Sequence, residues 1–367
     1  MDCRSFDEQV ARRDPQISKL MDEFVSVRVV QGNGMDLSLF QFDYDLTFCI
    51  FFLNADQTIY GRFGSRSSHK DAARDMSLEG LQKALAAALQ LHKNYPANKE
   101  TLAGKRGPAP RFRFPEEYPS LKGKYPERLD YEGKVVQSCM HCHQVREAER
   151  LYLREAQLPI SNQVVYPWPM PDAIGMSLDP KEMATVASVK PNTPAASAGL
   201  QKGDVIHTFA GQPMLSIADV QWVLHQAADQ ATLPLEISRD GKKRALQLSL
   251  DNGWRENVDI SWRVSSWDLR RMASGGLVLK DLDDEKRKQR QLSENELALI
   301  VDYVGEYGQH AAGKKAGFKK DDILLGKDRL TESQWLARRF QTLRPGQKTK
   351  IEVLRDKEKV QLELPVQ

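Results

Sequence analysis

The sequence predicts an α+β protein made of several domains. Its 367 residues exceed the usual length of one domain, and a hydrophobic content of 41% is ordinary for a globular protein. Short apolar runs of strand length alternate along the chain with amphipathic helical patterns. A pattern near residue 200 returns near residue 318, which indicates two domains of one kind. The predicted segments are 1–103, 104–170, 171–252 and 253–367.

The charge balance and the hydropathy argue against several classes of protein. The chain has 53 Lys and Arg against 50 Asp and Glu, so its net charge of +3 predicts no nucleic-acid partner. The longest apolar run, residues 48–53, has the length of a strand, and no transmembrane segment is predicted. The start of the sequence has no signal-peptide pattern. Four cysteines are too few for a disulfide-rich scaffold.

The first segment predicts a small α/β arrangement. β-Branched and aromatic runs indicate buried strands, a polar turn between two of them indicates a hairpin, and leucines at helical spacing indicate a core-facing helix. In chain order the predicted elements are a helix at 4–23, strands at 24–30, 47–53 and 58–63, and a helix at 77–92.

This order of elements resembles the later part of a thioredoxin fold. The run FFLNADQTIYGRFG, residues 51–64, is similar to a strand–turn–strand of thioredoxin-like proteins. In that family a redox CxxC motif precedes the helix that corresponds to residues 4–23, and Cys3 falls at the second cysteine of the motif. A thiolate at a helix N-terminus has a lowered pKa, so Cys3 is a candidate catalytic thiol. The alternative is a lone thiol near the chain terminus.

The resemblance leaves the first strand and helix of the fold without counterparts, so the predicted domain is truncated. We therefore predict an open reading frame that continues upstream of Met1. A cysteine or selenocysteine placed directly before Met1 would complete the spacing to Cys3, as in selenoproteins. A signal sequence further upstream would be consistent with the periplasmic or cell-envelope location that we expect.

The second segment begins with a proline-rich stretch, predicted to be a linker, and then carries the run CMHCH at residues 139–143. The C-x-x-C-H spacing is that of c-type haem attachment. Cys139 and Cys142 would bind the haem vinyl groups, and His143 would ligate the iron. Met170, between two prolines, is the candidate for the second axial ligand.

Two other interpretations of this helical CxxCH segment stay open. Cys139 and Cys142 would act as a dithiol redox pair in a thiol–disulfide oxidoreductase. Alternatively, both cysteines with His141 and His143 would hold a structural zinc ion. Haem c is the cofactor that we expect, with zinc as the alternative and a redox protein as partner.

The C-terminal half contains an internal duplication. The run AGLQKGDVI at 198–206 matches AGFKKDDIL at 316–324, and a later Arg-Asp pair also recurs, at 239–240 and 355–356. The first copy, PNTPAASAGLQKGDVIHTFAGQPM, resembles PDZ domains of the HtrA-protease type. The resemblance implies two PDZ-like, partly open β-barrels, with a strand at 205–209 and a helix at 217–226 in the first copy.

PDZ domains bind a peptide C-terminus as an added strand, and loop amides hold its carboxylate. By this resemblance Ile174, Gly175 and Met176 bind peptide in the first copy, and Gly276 and Leu277 do so in the second. We expect the first copy to bind better. The alternative is that these loops only turn the chain.

The resemblance to HtrA proteases covers the PDZ domains, and we expect no proteolysis because the sequence has no GxSxG motif. The chain as a whole resembles bacterial thioredoxin-like/PDZ fusion proteins, some of which are selenoproteins. This resemblance implies a cell-envelope redox protein that docks to client proteins through its PDZ domains. The alternative function is a non-catalytic PDZ scaffold with a structural metal site at CMHCH.

Overall fold

Helices and strands alternate along the chain, which confirms the mixed α and β class. The computed structural model describes Val10 and residues 14–68, 74–133 and 135–367. Two compact units are present. One holds the described residues up to Tyr152 together with Asn162–Val258, and the other holds Leu153–Ser161 with Asp259–Gln367. The finer division into four domains stays a prediction, and Cys3 lies outside the described residues.

The N-terminal part of the first unit contains a two-stranded antiparallel sheet at the predicted positions. Strand β1 (Ile50–Leu53) pairs with β2 (Ile59–Phe63). Helices α1 (Pro15–Met21) and α2 (Leu78–Lys93) share a hydrophobic core with this sheet. Helix α2 begins after Ser77, whose hydroxyl accepts a hydrogen bond from the Gly80 amide at 2.9 Å and so caps the helix.

Residues 24–30 do not form the buried strand that their β-branched composition predicts. From residue 25 onward they have no regular secondary structure, and the side chains of Val25 and Val27 are 95% and 81% exposed. A β-prone run becomes a strand only when another strand pairs with it. A thioredoxin-like sheet is therefore not shown, since β1 and β2 pair only with each other among the described strands.

The proline-rich stretch after residue 103 packs against the first unit. Tyr118 and Leu121 are buried in one core with Met35, Leu37 and Met140. Helix α3 (Lys99–Leu102) precedes this stretch. Three helices follow it and lead to the first copy of the duplicated pattern: α4 (Val135–Ser138), α5 (His143–Glu155) and α6 (Asn162–Val165).

The first copy of the duplicated pattern folds into a hairpin, a four-stranded sheet and two helices. The sheet order is β6-β5-β7-β8, and β3 pairs with β4 alone. The predicted strand at 205–209 and helix at 217–226 are confirmed. The elements are β3 (Met176–Leu178), β4 (Val186–Val189), α7 (Pro194–Ser197), β5 (Val205–Phe209), β6 (Gln212–Pro213), α8 (Ile217–Gln226), β7 (Ala231–Arg239) and β8 (Lys242–Leu250).

The second unit contains a five-stranded antiparallel sheet of order β13-β12-β11-β10-β9, with β9 at one edge. Its elements are α9 (Ser266–Ser274), β9 (Leu277–Asp281), α10 (Asp284–Gln289), β10 (Leu297–Val304), α11 (Ala312–Lys315), β11 (Ile323–Gly326), α12 (Glu332–Thr342), β12 (Lys348–Arg355) and β13 (Glu358–Pro365). No helix within the described ranges combines the length and the apolarity that crossing a membrane requires.

The duplication appears in the structure as the same buried ion pair in each unit. Arg239 Nε lies 2.6 Å from Asp204 Oδ1, and Arg355 Nε lies 2.7 Å from Asp322 Oδ1. Each guanidinium also donates to a glycine carbonyl, that of Gly199 in the first unit and that of Gly317 in the second. In each copy the ion pair connects the turn before a strand (β5 or β11) to the last hairpin of the sheet. Both copies are therefore stabilised by the same internal brace.

Candidate functional site

The loop predicted to bind peptide in the first copy is a tight turn that ends at glycine. Pro171–Ile174 form a 3₁₀ turn, and Gly175 follows at a φ of +83°. A Cβ on Gly175 would lie 2.2 Å from Thr193 Oγ1, so both the backbone and the space require glycine. Ile174 and Met176 on either side are 0% and 2% exposed. The fold therefore brings the three predicted residues together, with the flanking side chains inside.

Two backbone amides of this loop already have acceptors. The Ala173 amide donates to the Met170 carbonyl and the Gly175 amide donates to the Asp172 carbonyl, both at 3.0 Å. Amides in such a loop hold the carboxylate of a bound peptide. These two amides are therefore occupied by hydrogen bonds within the loop itself.

Helix α8, next in the first copy, is buried on all sides. Each residue from Ile217 to Leu224 is buried, although a helix packed on a sheet ordinarily leaves one face to solvent. The Arg62 guanidinium lies 4.0 Å from the centre of the Trp222 ring, and Lys105 Nζ lies 2.8 Å from Asp219 Oδ1. We call Arg62, Lys105, Asp219 and Trp222 the Asp219 cluster. All four side chains are 0% exposed.

The Asp219 cluster buries two cations and one carboxylate, and removing these charges from water is unfavourable. Burial lowers the pKa of Arg62 to about 10, and burial also lowers the pKa of Lys105, although Asp219 opposes both effects. Arg62 compensates by donating to the carbonyls of Gln41 at 2.8 Å and Lys105 at 2.7 Å. The cation–π contact with Trp222 adds a further favourable term. The cluster fixes the segment around residue 105 on the outer face of α8.

Trp168 covers a second side of the same helix. Its carbonyl accepts a hydrogen bond from the Gln221 amide group at 3.1 Å, and its ring stacks on His225 with centroids 4.7 Å apart. Trp168 is 4% exposed and directly precedes the segment that leads into the loop at 171–176. Trp168 therefore covers the part of α8 that contains Gln221 and His225.

The corresponding loop of the second copy is also internally satisfied. Gly276 has a φ of +88°, and its amide donates to the Arg270 carbonyl of α9 at 3.1 Å. Leu277 follows at the start of β9 and is 0% exposed. Helix α9 lies against α12, where Arg270 pairs with Glu332 at 3.0 Å. Gly276 and Leu277 therefore lie just after the end of α9 and are buried.

The CMHCH run lies at the start of helix α5 in the first unit. Cys139 and Cys142 are half-buried free thiols, and His143 Nδ1 lies 3.0 Å from Glu147 Oε1. Burial raises the pKa of the Cys142 thiol to about 11, so this cysteine is protonated at neutral pH and is a weak nucleophile. Met170 is half-buried at the beginning of the first copy's loop.

Comparison with known proteins decides what the first copy is. Residues 172–250 match the family model described as PDZ domain. Residues 172–250 form a PDZ domain.

Curated relatives share part of this chain. A probable periplasmic serine endoprotease, DegP-like, of Pseudomonas fluorescens is 34% identical over 29% of this chain and 22% of its own length. The same description from Pseudomonas putida applies to a protein 34% identical over 42% of this chain and 35% of its own length. The periplasmic pH-dependent serine endoprotease DegQ of Escherichia coli is 26% identical over 43% of this chain and 30% of its own length.

One solved structure, HtrA-type protease AlgW with decapeptide, shares 21% identity over 36% of this chain and 41% of its own, with a TM-score of 0.22. The chain thus spans between about a fifth and two fifths of the length of these similar proteins. The PDZ domain is of the type found in DegP-like proteins.

These relatives correct three expectations. The predicted redox function is wrong, because the curated relatives are named serine endoproteases, and the predicted thioredoxin-like or selenoprotein-like character is contradicted with it. The same names contradict the expectation that the chain is not a protease. Haem c and zinc are also contradicted as cofactors, since the described part of the chain has no group of three His, Cys, Asp or Glu side chains placed to hold a metal ion. The C-x-x-C-H spacing predicted a cofactor site. The spacing of residues in a sequence, however, gives no information about how far the two thiols are buried in the fold.

The periplasmic or cell-envelope location is confirmed by these relatives, which are named as periplasmic proteins. The role of the individual loop residues stays a prediction. Sequence reasoning missed Trp168 and the Asp219 cluster. One signal was present in the sequence, since Trp222 lies on the α8 face opposite Val220 and Leu224, where a solvent-facing helix carries polar residues.

Proposed function

We propose that the PDZ domain captures polypeptide C-termini in the periplasm, as the recognition part of a protein that takes part in protein turnover. The observation that carries the proposal is the family match over residues 172–250. Strand β3 supports it, because among the described strands it pairs only with β4 and keeps one edge for an added strand. The turn at 174–176 would hold the carboxylate of the peptide.

Binding has to be coupled to opening of the domain. The Ala173 and Gly175 amides donate within the loop, and the Trp168 carbonyl accepts a hydrogen bond from Gln221 of α8, so a peptide would have to compete with these contacts. The apparent affinity of a peptide then equals its affinity for the open form reduced by the fraction of open molecules. We expect moderate affinity in the intact chain.

The test is a fluorescence anisotropy titration of the full chain with labelled peptides that end in apolar residues. Each peptide is made with a free C-terminal carboxylate and as the C-terminal amide. We expect at least about tenfold weaker binding of the amide, because a hydrogen bond to a charged group is worth roughly 1.5–3 kcal/mol. Equal affinity for both forms would contradict recognition of the terminus.

A glycine pair supplies the matched variants. Gly175→Ala is expected to weaken binding of the free-carboxylate peptide, because a Cβ there meets Thr193. Gly211→Ala carries a similar backbone strain, with a φ of +76°, but a Cβ at Gly211 has open space around it. Loss of binding in both variants to the same extent would indicate a general effect of strain and not a role of the loop.

The names of the relatives favour endoproteolysis as a second candidate function. It is tested by incubating the full chain with an unfolded model protein, with and without a serine-directed inhibitor. Inhibitor-sensitive cleavage would support this candidate. Binding of C-terminal peptides without cleavage would leave recognition as the function of the chain.

A further inference from the structure

A cleft with a volume of 340 Å³ lies in the second unit, between helix α12 and the strands β10, β11 and β12. Its wall contains three buried apolar side chains, Trp335 from α12, Leu297 from β10 and Ile351 from β12. Leu325 and Leu330 add two half-buried apolar side chains. Pockets that bind small molecules have volumes of about 300–1,000 Å³ and mostly apolar walls, so this cleft has the size and the surface of a ligand site.

The cleft is separate from the loop that was predicted to bind peptide in the second copy. Gly276, Leu277 and the rest of β9 are not among the described residues that line it. The strands that do line it, β10, β11 and β12, each have a neighbouring strand on both sides in the sheet. A peptide that binds as an added strand needs a sheet edge with unpaired amides and carbonyls. The cleft therefore favours a ligand without a peptide backbone.

The polar side chains of the cleft carry an excess of positive charge. They comprise four cations and two carboxylates: Lys327, Arg338, Arg339, Lys350, Asp328 and Glu352. Arg338 Nη1 lies 2.9 Å from Asp328 Oδ2, and Lys359 Nζ, outside the lining, lies 2.8 Å from Glu352 Oε1. Within the described part of the chain, Lys327, Lys350 and Arg339 have no carboxylate partner. The cleft therefore has positive charge that no acidic side chain there compensates.

Arg339 is the buried cation among these residues. It is 9% exposed, its Nε donates to the Ala273 carbonyl at 2.8 Å, and its guanidinium lies 4.8 Å from the centre of the Trp335 ring. Its Nη2 has no hydrogen-bond acceptor among the described residues. Burial lowers the pKa of Arg339 to about 10, and the nearby charge of Arg154 acts in the same direction, so Arg339 is still charged at neutral pH. A buried cation without a counter-charge is unfavourable, and an anion in the cleft reduces this cost.

We propose that this cleft binds an unbranched carboxylic acid of medium chain length, with the hydrocarbon chain against the apolar wall and the carboxylate beside the cations. The chain loses contact with water against Leu297, Trp335 and Ile351, which is favourable. The carboxylate supplies the negative charge that the lining lacks. Decanoate, with about twelve non-hydrogen atoms, is a suitable probe, and we expect a dissociation constant between about 10 µM and 1 mM.

Isothermal titration calorimetry of the full chain with decanoate tests the proposal. We expect one decanoate to bind per chain. Decyltrimethylammonium has a hydrocarbon chain of the same class but a positive charge, and we expect it to bind at least about tenfold more weakly. Octanoate keeps the charge but lacks two methylene groups, and we expect it to bind roughly tenfold more weakly than decanoate.

Substitutions at exposed positions of the lining test where decanoate binds. Lys350→Glu reverses one charge of the cleft and is expected to weaken decanoate binding by about fivefold. Lys243→Glu is the matched control, because Lys243 is an exposed lysine of β8 in the first unit, and it is expected to leave the affinity unchanged. Thr342→Trp adds an indole ring to the lining at the end of α12 and is expected to weaken binding by about tenfold or more.

Three results overturn the proposal. The first is the absence of saturable decanoate binding up to about ten times the upper limit of the expected dissociation constant. The second is equal affinity for decanoate and decyltrimethylammonium. The third is an affinity for decanoate that is unchanged in both Lys350→Glu and Thr342→Trp. The PDZ domain at 172–250 plays no part in these readouts, so the test is independent of the proposed function.

Discussion

Single residues brace the two copies of the duplicated pattern. Asp204 is 0% exposed, and Arg239 gives it two hydrogen bonds, at 2.6 and 2.7 Å. A carboxylate that is buried without a partner destabilises the fold. The main contribution of Arg239 is therefore to compensate the buried charge of Asp204. The carbonyl of Gly199 accepts a further hydrogen bond from the Arg239 guanidinium.

Arg239→Ala is expected to destabilise the first unit, because it leaves the Asp204 carboxylate with only the Gln201 amide as a hydrogen-bond donor. Hydrogen exchange of the full chain measures this, with faster exchange expected in β5 and β7. Arg355→Ala is the matched variant and is expected to act on β11 and β12. Unchanged exchange in the sheet of the mutated copy would show that the brace does not stabilise it.

The same pair predicts an acid-sensitive contribution to stability. Burial opposes ionisation, but the hydrogen bonds from Arg239 and from the Gln201 amide outweigh it and lower the pKa of Asp204 below its usual value. A carboxyl with a lowered folded-state pKa stabilises the fold above its unfolded pKa, and this contribution is lost as the pH falls through the folded-state value. Urea unfolding from neutral pH to below about pH 4 is expected to show a loss of stability that Arg239→Ala reduces. An identical pH dependence in both proteins would contradict this assignment.

Helix α8 is the most completely buried helix of the PDZ domain. Its outer face is covered by the Asp219 cluster, and Gln221 holds the Trp168 carbonyl. An amphipathic helix packed on a sheet ordinarily leaves its outer face accessible to a partner. The outer face of α8 is instead in contact with other residues of the same chain. Under the proposed function, we expect these covering contacts to compete with a bound peptide.

Trp168→Ala is expected to raise the apparent affinity of the full chain for a free-carboxylate peptide severalfold, because it increases the fraction of open molecules. It is also expected to lower stability, by roughly 3–5 kcal/mol for a buried tryptophan. The measurement is the peptide titration, with Trp267→Ala as a matched control since Trp267 is 46% exposed.

Gln221→Ala is the milder variant if Trp168→Ala does not fold. It removes only the donor to the Trp168 carbonyl, at a cost of about 1–3 kcal/mol. Unchanged affinity in a folded Trp168→Ala or Gln221→Ala protein would show that Trp168 does not restrict the site.

At the scale of the molecule, local signals predicted local structure. The hairpin of β1 and β2, helix α2 and helix α8 came from periodicity and turn residues that lie close together in the chain. The PDZ resemblance singled out Gly175 for its loop position, and the structure adds that its φ of +83° is a backbone conformation that glycine adopts easily. The predicted strand at 24–30 is not present because a strand needs a second segment to pair with. The sequence of one segment does not show whether the fold provides such a partner.

The sequence by itself determined the mixed α and β class, the duplicated pattern and the PDZ domain, because each depends on residue spacing that the chain carries locally. Tertiary structure alone decided the state of the sites. It buries Cys142 and so makes its thiol a weak nucleophile, and it covers α8 with Arg62, Lys105 and Trp168. Burial and electrostatic environment come from residues far apart in the chain, and for that reason spacing in the sequence cannot report them.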